Sequence, residues 1–488
     1  MNRLTSGLKL FLSSRPANHD DAGRRKSARR ARPTVDALEG RTVLSTVTLT
    51  VTSPSDNFPN VDPNSLRGVI QQADAVPAGT NVVIDFDVNG GGYAGTLLSV
   101  PLPAITRPVT IDGTSQPLYK GGPAAGGANY VIDGSAISAG DGLDFTAGAS
   151  GSVVEGLFVV GFRAGAGLHF SNASNIQLLG DNVGFQQNAA ALWVEPNRVG
   201  VEFDGGSNET IRNDTIAGNS LDGLQLLGTS NSLVASSMIG IDPYGAYPTD
   251  SYGNALGNGG RNHYGTGLNI NNGSGNTVTN NVISNNGTYG LLLAGPAASG
   301  NRITANEIGT NVTGAVPRPN STGIRIAAGA NNNVVSGGNV IGGNSWDGVE
   351  VDGQGTVQNE LIGNWIGTSP NTQVGIPNWN GIQLIGGSAY TFVINNTISG
   401  NSGDGVFLEQ TQYDVVEQNQ IGPGLYGSPL GNGFYGIILV DGASYNTIYA
   451  NNIQYNRSAG LATFGTGWGN GYYYNTVVNN GGGDIIWD

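Results

Sequence analysis

The sequence predicts a single all-β solenoid, in which short parallel strands stack in successive coils. Three observations predict this class: a recurring Gly–apolar–any–apolar segment, a two-residue alternation within it, and a composition rich in turn-forming residues. The chain has 488 residues, of which 80 are Gly and 55 are Asn. Both residue types are unfavourable in helix interiors and common in turns. We therefore expect strands that are bounded closely by turns.

The recurring segment marks one strand in every coil. The position after the glycine is apolar in all twelve copies, and an alternation of period two buries one face of a strand. A strand this short cannot bury that face alone, so neighbouring coils must stack on each other. Shorter coils of about 24 residues alternate with longer ones. The segments begin at Gly142, Gly167, Gly200, Gly223, Gly267, Gly290, Gly323, Gly348, Gly381, Gly405, Gly436 and Gly460.

A second pattern predicts another strand in each coil and a ladder of asparagines. It reads apolar, two residues, Asn, one residue, Ile, as in Ile303 to Ile308. Stacked Asn amides can donate to and accept from the next coil, and Asn tolerates the left-handed backbone of a sharp bend. We interpret this ladder as structural, with Asp214 and Ser237 filling its earlier places. Its members are Asn281, Asn306, Asn339, Asn364, Asn396, Asn419, Asn451 and Asn480.

The N-terminal part divides into a leader and a cap. Residues 1–45 hold ten Lys and Arg against four Asp and Glu and few apolar residues, so we treat them as a basic disordered leader or sorting segment. Residues 46–141 would form the cap and the first coils, and residues 142–488 the repetitive body. The helical spacing of Leu66, Val69, Ile70 and Ala73 predicts a short capping helix.

These patterns together resemble the right-handed parallel β-helix, the pectate-lyase-like superfamily, over roughly residues 46–488. The fold expected is one right-handed parallel β-helix of about twelve or more coils. The stretch from Ser65 to Ala75, followed by Asn81 to Phe86, looks like the S-L-R-x-A-I module of exported bacterial β-helix proteins. Leu38 to Ser45 resembles the L-E-P-R-x-L-L-S sorting signal, with Gly40 where that pattern has Pro. The resemblance implies export to the cell surface or beyond.

Charge and composition exclude several classes of function. Beyond residue 45 there are eleven basic and thirty-one acidic residues, so the body carries a formal charge of −20 and nucleic acid is not an expected partner. Cysteine is absent, which excludes disulfides and thiolate metal sites. No apolar run reaches the length needed for a transmembrane anchor.

The residue between the two apolar positions of each segment should point outward, and two clusters emerge in this row. The first contains Asp144, His169, Glu202 and Asp204, where a His between carboxylates could hold a cation or exchange protons. The second is a set in which an Arg lies beside carboxylates: Arg325, Glu350 and Asp352, with Gln383 and Glu409 near them. This set approaches what the resemblance to pectate-type lyases implies, namely calcium-binding acidic residues beside an Arg or Lys base. The alternative is a solvated sheet face whose charges pair across strands.

The longer coils carry exposed aromatic candidates for binding a glycan. Tyr264 and Trp379 lie in these inserts, and aromatic faces can stack on sugar rings. With Gln383 and Glu409 they form the candidate ligand-binding set. The alternative is that the aromatic side chains fix the inserts to the coil.

We therefore expect an exported, cell-surface or extracellular rod with a structural or adhesive role, whose partners are extracellular polysaccharide or cell-envelope components. A polysaccharide lyase or glycoside hydrolase is the alternative function. No cofactor is required on this interpretation, and calcium is the candidate metal.

Overall fold

The computed structural model describes residues 45–88, 94–117, 130–187, 191–260, 264–370 and 374–487. The predicted leader and its sorting signal lie outside these residues, apart from Ser45. Within the described part, no helix is long and apolar enough to cross a membrane.

Three long parallel sheets run along the rod, and from Leu143 onward each coil contributes one strand to each in turn, so the predicted parallel β-helix is confirmed. Sheet 1 has fifteen strands: Thr46–Val51, Asn81–Phe86, Thr110–Asp112, Val153–Glu155, Gln177–Leu179, Thr210–Arg212, Leu233–Ala235, Thr277–Thr279, Arg302–Thr304, Val334–Ser336, Glu360–Ile362, Phe392–Ile394, Val415–Glu417, Thr447–Tyr449 and Gly471–Tyr473. Sheet 2 has fourteen: Gly95–Leu97, Tyr130–Asp133, Leu157–Val160, Asn182–Val183, Thr215–Ile216, Met238–Ile239, Val282–Ile283, Glu307–Ile308, Val340–Ile341, Trp365–Ile366, Thr397–Ile398, Gln420–Ile421, Asn452–Gln454 and Thr476–Val478. Sheet 3 has thirteen: Leu143–Phe145, Ala166–Ser171, Val199–Asp204, Leu224–Leu227, Leu268–Asn271, Tyr289–Ala294, Thr322–Ala327, Val349–Asp352, Ile382–Ile385, Val406–Glu409, Ile437–Val440, Leu461–Phe464 and Ile485–Ile486.

Smaller elements interrupt the coils. Phe185–Gln187 and Leu192–Val194 form an antiparallel pair in an insert. Short 3₁₀ turns occur at Gly113–Ser115, Ala147–Ala149 and Leu425–Gly427.

The interior is one continuous apolar column. The apolar positions of the recurring segment, such as Leu291 and Leu293, are fully buried along its whole length. Three phenylalanines on successive sheet 3 strands stack with ring centroids 4.6 and 4.5 Å apart: Phe145, Phe170 and Phe203. Each coil covers the apolar face of its neighbour. The apolar positions of neighbouring strands must therefore lie side by side, which is the register that the period-two pattern predicts.

The predicted helix is present as α1, Leu66–Ala75. Ser65 caps it by accepting a hydrogen bond from the backbone N–H of Gly68. Leu66, Val69, Ile70 and Ala73 are all buried in the same apolar column, so the helix covers the first coils.

The pattern from Ile303 to Ile308 is two strands, and the prediction of one strand there is wrong. Arg302–Thr304 belongs to sheet 1 and Glu307–Ile308 to sheet 2, with Asn306 between them. The chain turns because Ala305, just before the Asn, adopts a left-handed conformation with φ of 53°. The left-handed residue is therefore the one before the ladder position.

The asparagine ladder stands at this bend. The amide Nδ2 of Asn306 donates to Oδ1 of Asn339 in the next coil at 3.0 Å, and also to the carbonyl of Val278 at 3.0 Å. Its own Oδ1 accepts from the backbone N–H and the amide of Asn281. Asn480 does not belong to this ladder: Asn475 follows Asn451, at an amide distance of 3.0 Å.

Two further ladders, which the sequence patterns did not reveal, stand at the other bends of each coil. One precedes sheet 3 and ends at Asn480, which accepts from Asn456. The other follows sheet 3 and contains Asn276, Asn301 and Asn333. The polar rungs are buried except in the last coil, where Asn470, Asn475 and Asn480 are partly exposed, so side-chain hydrogen bonds as well as the three sheets hold the coils together. Carboxyl groups replace amides at a few rungs: Asp181, Glu209, Asp214 and Asp414.

Candidate functional site

The outward row of sheet 3 lies in the register expected from the repeat. Asp144 pairs with His169 and His169 with Glu202, and further along Arg325 pairs with Glu350 and Glu350 with Gln383. Each sequence-predicted cluster is therefore brought together on one face of one sheet. The row becomes apolar toward the C-terminal coils, where Ile438 and Ala462 are buried.

The first cluster is built around His169. Its Nδ1 lies 2.9 Å from Oδ1 of Asp144 and 3.6 Å from Oδ2 of Asp141. The hydrogen bond to Asp144 raises the pKa of His169, against the opposing effect of burial. Glu202, on the next strand, adds to the negative field at the ring, while Asp204 is exposed two residues further on.

Three residues of this cluster are candidate ligands for a cation. One ligand atom from each of Asp141, Asp144 and His169 lies within 4.8 Å of the others. Oδ1 of Asp141 accepts the backbone N–H of Ala166 at 2.7 Å, which orients that carboxylate. The donor set of two carboxylates and one imidazole suits a divalent metal ion.

The second cluster is built around Arg325. Its Nη2 donates to Oδ2 of Asp352 at 2.5 Å, and its Nη1 lies 3.2 Å from Oε1 of Glu350. Nη1 also donates to the hydroxyl of Tyr289 at 2.8 Å, and the guanidinium lies 5.4 Å from the centre of that ring. Two carboxylates and a phenol therefore hold the guanidinium in place against the sheet.

Burial perturbs two carboxyl groups beside this arginine. Glu350 is nearly buried, and burial raises its pKa although Arg325 opposes the shift. Burial also raises the pKa of Asp347 to about 6. Oδ1 of Asp347 accepts from the side-chain amide of Asn380 at 3.0 Å. Carboxyl groups whose pKa is raised in this way can exchange protons with a ligand.

Exposed aromatic side chains border the second cluster at the turn before sheet 3. Trp346 directly precedes Asp347, and the backbone N–H of Trp379 donates to the carbonyl of Trp346 from the next coil. Phe434 lies two coils beyond Trp379, with 6.1 Å between the ring centroids. These side chains are 60%, 47% and 45% exposed, respectively. We call Trp346, Trp379 and Phe434 the aromatic ridge.

Of the other predicted ligand-binding residues, Gln383 and Glu409 lie near the second cluster, whereas Tyr264 lies far from the aromatic ridge. Gln383 pairs with Glu350, and Glu409 occupies the strand position equivalent to Asp352 two coils further on. Tyr264 is exposed, but it precedes the strand that begins at Leu268, four strands before the one that follows Trp379. At about 4.8 Å per strand it lies roughly 19 Å away along the rod. The structure thus does not bring Tyr264 to the ridge.

Sequence reasoning missed Asp141, Tyr289 and Asp347, and these three share one signal. Each directly precedes a glycine of the recurring segment: Gly142, Gly290 and Gly348. The residue before the glycine lies outside the period-two alternation, so the pattern does not predict whether its side chain points inward or outward. In the structure this side chain reaches the outward-facing row of sheet 3.

Comparisons with known proteins agree with the fold. A family model described as "Right handed beta helix region" matches residues 166–366, and one described as "Periplasmic copper-binding protein (NosD)" matches residues 371–482. No curated protein sequence matches the chain significantly.

Solved structures similar to the chain include proteins of different activities. The A-module of the Azotobacter vinelandii mannuronan C-5 epimerase AlgE4 is 17% identical, with a TM-score of 0.45, and the match covers 83% of this chain and 92% of that one. The Dettilon tailspike protein is 12% identical, with a TM-score of 0.46 and coverage of 91% and 68%. The Streptococcus pneumoniae surface protein and adhesin PfbA is 12% identical, with a TM-score of 0.38 and coverage of 90% and 100%. At these identities and TM-scores the likeness carries no argument about activity, and the parallel β-helix itself rests on the three sheets described above.

Proposed function

We propose that this protein is an exported β-helix rod that binds an extracellular polysaccharide on the outer face of sheet 3, beside the aromatic ridge. The observation that carries this proposal is the juxtaposition of three exposed aromatic side chains with a fixed cluster of charged and polar groups. Glycan sites combine these two features, because sugar rings offer apolar faces as well as hydroxyl groups. Export is part of the proposal because the N-terminal segment resembles a sorting signal and the repeats resemble those of exported proteins.

The shape of the site suits a chain rather than a single small molecule. Trp346 and Trp379 lie on adjacent coils and Phe434 two coils further, so the ridge runs along the rod axis for about 14 Å at the strand spacing. Gln383 and Asp352 lie on the sheet beside it and offer hydrogen-bonding groups to a ligand that follows the same direction. An extended polymer can use several such contacts at once, which supports a binding or adhesive role.

Retention of the full chain on immobilised polysaccharides and on isolated cell walls tests the proposal. Trp379→Ala should weaken binding at least about tenfold, equivalent to roughly 1.4 kcal/mol. Trp468→Ala is the matched control, because Trp468 is also exposed but lies at the opposite end of its sheet 3 strand. Equal effects of the two substitutions, or no retention on any polysaccharide, would refute the proposal.

A polysaccharide lyase or hydrolase is the second candidate, and one observation favours it. Asp347 and Glu350 are carboxyl groups with raised pKa values beside Arg325 and the hydroxyl of Tyr289. These groups could supply and accept a proton during cleavage of a glycosidic bond. Release of reducing ends, or of unsaturated ends that absorb in the ultraviolet, should then be detected from a panel of polysaccharides with calcium present. Arg325→Gln should abolish it, and activity that survives this change would exclude the assignment.

A further inference from the structure

Acidic groups outnumber basic groups around the aromatic ridge. Glu350 and Asp352 flank Arg325 and Asp347 lies near Glu350, so the cluster has more acidic than basic groups. Two coils beyond Asp347, the equivalent position is Asp404, a largely buried carboxyl group whose Oδ1 accepts the backbone N–H of Tyr435 at 2.8 Å. Glu409 adds a further carboxylate on the sheet. A second arginine, Arg457, lies one coil beyond Phe434, at the far end of the ridge.

Arg325 is not free to bind an anionic ligand. Both terminal nitrogens of its guanidinium already have partners within the protein: Tyr289 and Glu350 at Nη1, and Asp352 at Nη2. A carboxylate of a uronic acid would have to displace one of these groups and would meet the negative field of the others. The desolvation and repulsion of such a ligand oppose its binding.

A positively charged ligand would be attracted to the ridge, where an anionic ligand is repelled. Asp352 and Glu350 bring two carboxylates to the single guanidinium of Arg325, and this excess of negative charge attracts a cation, as do the faces of Trp346 and Trp379 through their quadrupoles. The half-exposed carboxylates of Asp352 and Glu409 occupy equivalent strand positions two coils apart, about 10 Å along the axis. A polymer that follows the ridge would therefore meet a carboxyl group on alternate coils.

Resting on the proposed function, we infer that the polysaccharide bound at the ridge carries free amino groups, as a deacetylated hexosamine polymer does. The sugar rings stack on the ridge and the ammonium groups pair with the carboxylates of the neighbouring cluster. A uronic acid polymer is excluded by charge, and an N-acetylated polymer lacks the ammonium group.

Calorimetric titration of the full chain with three hexameric oligosaccharides at pH 6 and 0.15 M salt tests the inference. The three are a fully deacetylated glucosamine oligomer, its N-acetylated counterpart and an oligogalacturonate. The deacetylated oligomer should bind at least tenfold more tightly than the acetylated one, and the oligogalacturonate should not bind. If the acetylated oligomer or the oligogalacturonate binds as tightly, the inference is wrong while the proposed function stands. If none of the three binds and the polysaccharide retention test is also negative, the proposed function itself has failed.

A pair of charge variants separates recognition at the ridge from attraction to the acidic rod as a whole. Glu350→Gln and Glu202→Gln remove the same charge from the same outward row of sheet 3, at different coils. Only Glu350→Gln should weaken binding of the deacetylated oligomer, by about fivefold or more. Because Glu350 is nearly buried, thermal melting must show the variant folded, and Glu409→Gln provides a second change at a half-exposed carboxylate beside the ridge. Equal weakening by Glu202→Gln, or none by either ridge variant, would overturn the inference.

Discussion

Replacing the buried carboxyl group of Asp181 by an amide should stabilise the rod at neutral and alkaline pH. Asp181 and Asp214 are fully buried rungs on adjacent coils, and Oδ2 of each has no hydrogen-bond partner. At the equivalent rung, the Nδ2 of Asn306 donates both to a carbonyl one coil back and to the next rung. An amide at position 181 would likewise meet the carbonyl of Val154 and Oδ1 of Asp214. The change Asp181→Asn therefore supplies two missing donors.

The size of the expected stabilisation follows from the pKa of the Asp181 carboxyl group. Burial is the main cause that raises the pKa of Asp181, from 3.8 to about 7, and Glu155 adds to it. Between these pH values the unfolded chain has lost a proton that the folded chain keeps, so stability falls by about 1.4 kcal/mol for each pH unit. The loss reaches roughly 4 kcal/mol near pH 7 and does not grow above it. The pKa of Asp214 is raised for the same reason, which adds to the loss.

Urea unfolding of the full chain at pH 4.5, 6 and 8 measures this effect. Between pH 4.5 and 8 the unfolding free energy of the unmodified protein should fall by roughly 3 kcal/mol more than that of Asp181→Asn. Asp204→Asn is the control, because it removes the same formal charge from an exposed position. If Asp181→Asn has the same pH dependence as the unmodified protein, or is less stable than it at pH 8, the reasoning is refuted.

Three further predictions concern the ladder, the bend and the first cluster. Asn306→Ala removes two donated bonds and leaves the groups of the preceding rung unpaired, so urea unfolding should show a loss of about 3 kcal/mol; a loss below about 1 kcal/mol would contradict the ladder's role. Ala305→Gly relieves a left-handed alanine at φ 53° and should raise the unfolding free energy by about 0.5–1 kcal/mol, and a decrease in the same measurement would contradict it. Calcium or manganese should raise the melting temperature of the metal-free chain by a few degrees through Asp144 and His169. Asp144→Asn should abolish that rise, and the absence of a rise in the unmodified protein would argue against a cation site there.

The sequence was sufficient to predict the coil and the register of sheet 3 because both follow from strictly local repetition. Leu291 and Leu293 point inward, and Leu292 between them points outward, by the geometry of any strand. Once parallel stacking is accepted, Arg325 must lie beside Glu350. The capping helix follows from the same kind of local periodicity.

The bends could not be predicted in the same way. Whether Asn475 or Asn480 follows Asn451 depends on where the chain turns, and the last coil offers an Asn at all three bends. The cluster around Arg325 was incomplete for a similar reason, since Tyr289 and Asp347 reach it from the irregular position before each glycine. Backbone geometry at these turns, rather than residue type, determines which side chains meet.

The amide ladders give the rod an electrical direction. Where asparagines follow one another in a ladder, the side-chain carbonyl accepts from the preceding coil and the NH₂ group donates to the following one, so the dipoles of successive amides share one sense. Like the peptide dipoles of a helix, they add along the axis, with the positive pole toward the later coils. Asp181 and Asp214 can only accept when ionised, so the row of aligned amides begins after them. The two ends of each run of amides therefore differ in polarity, independently of the charges on the surface of the rod.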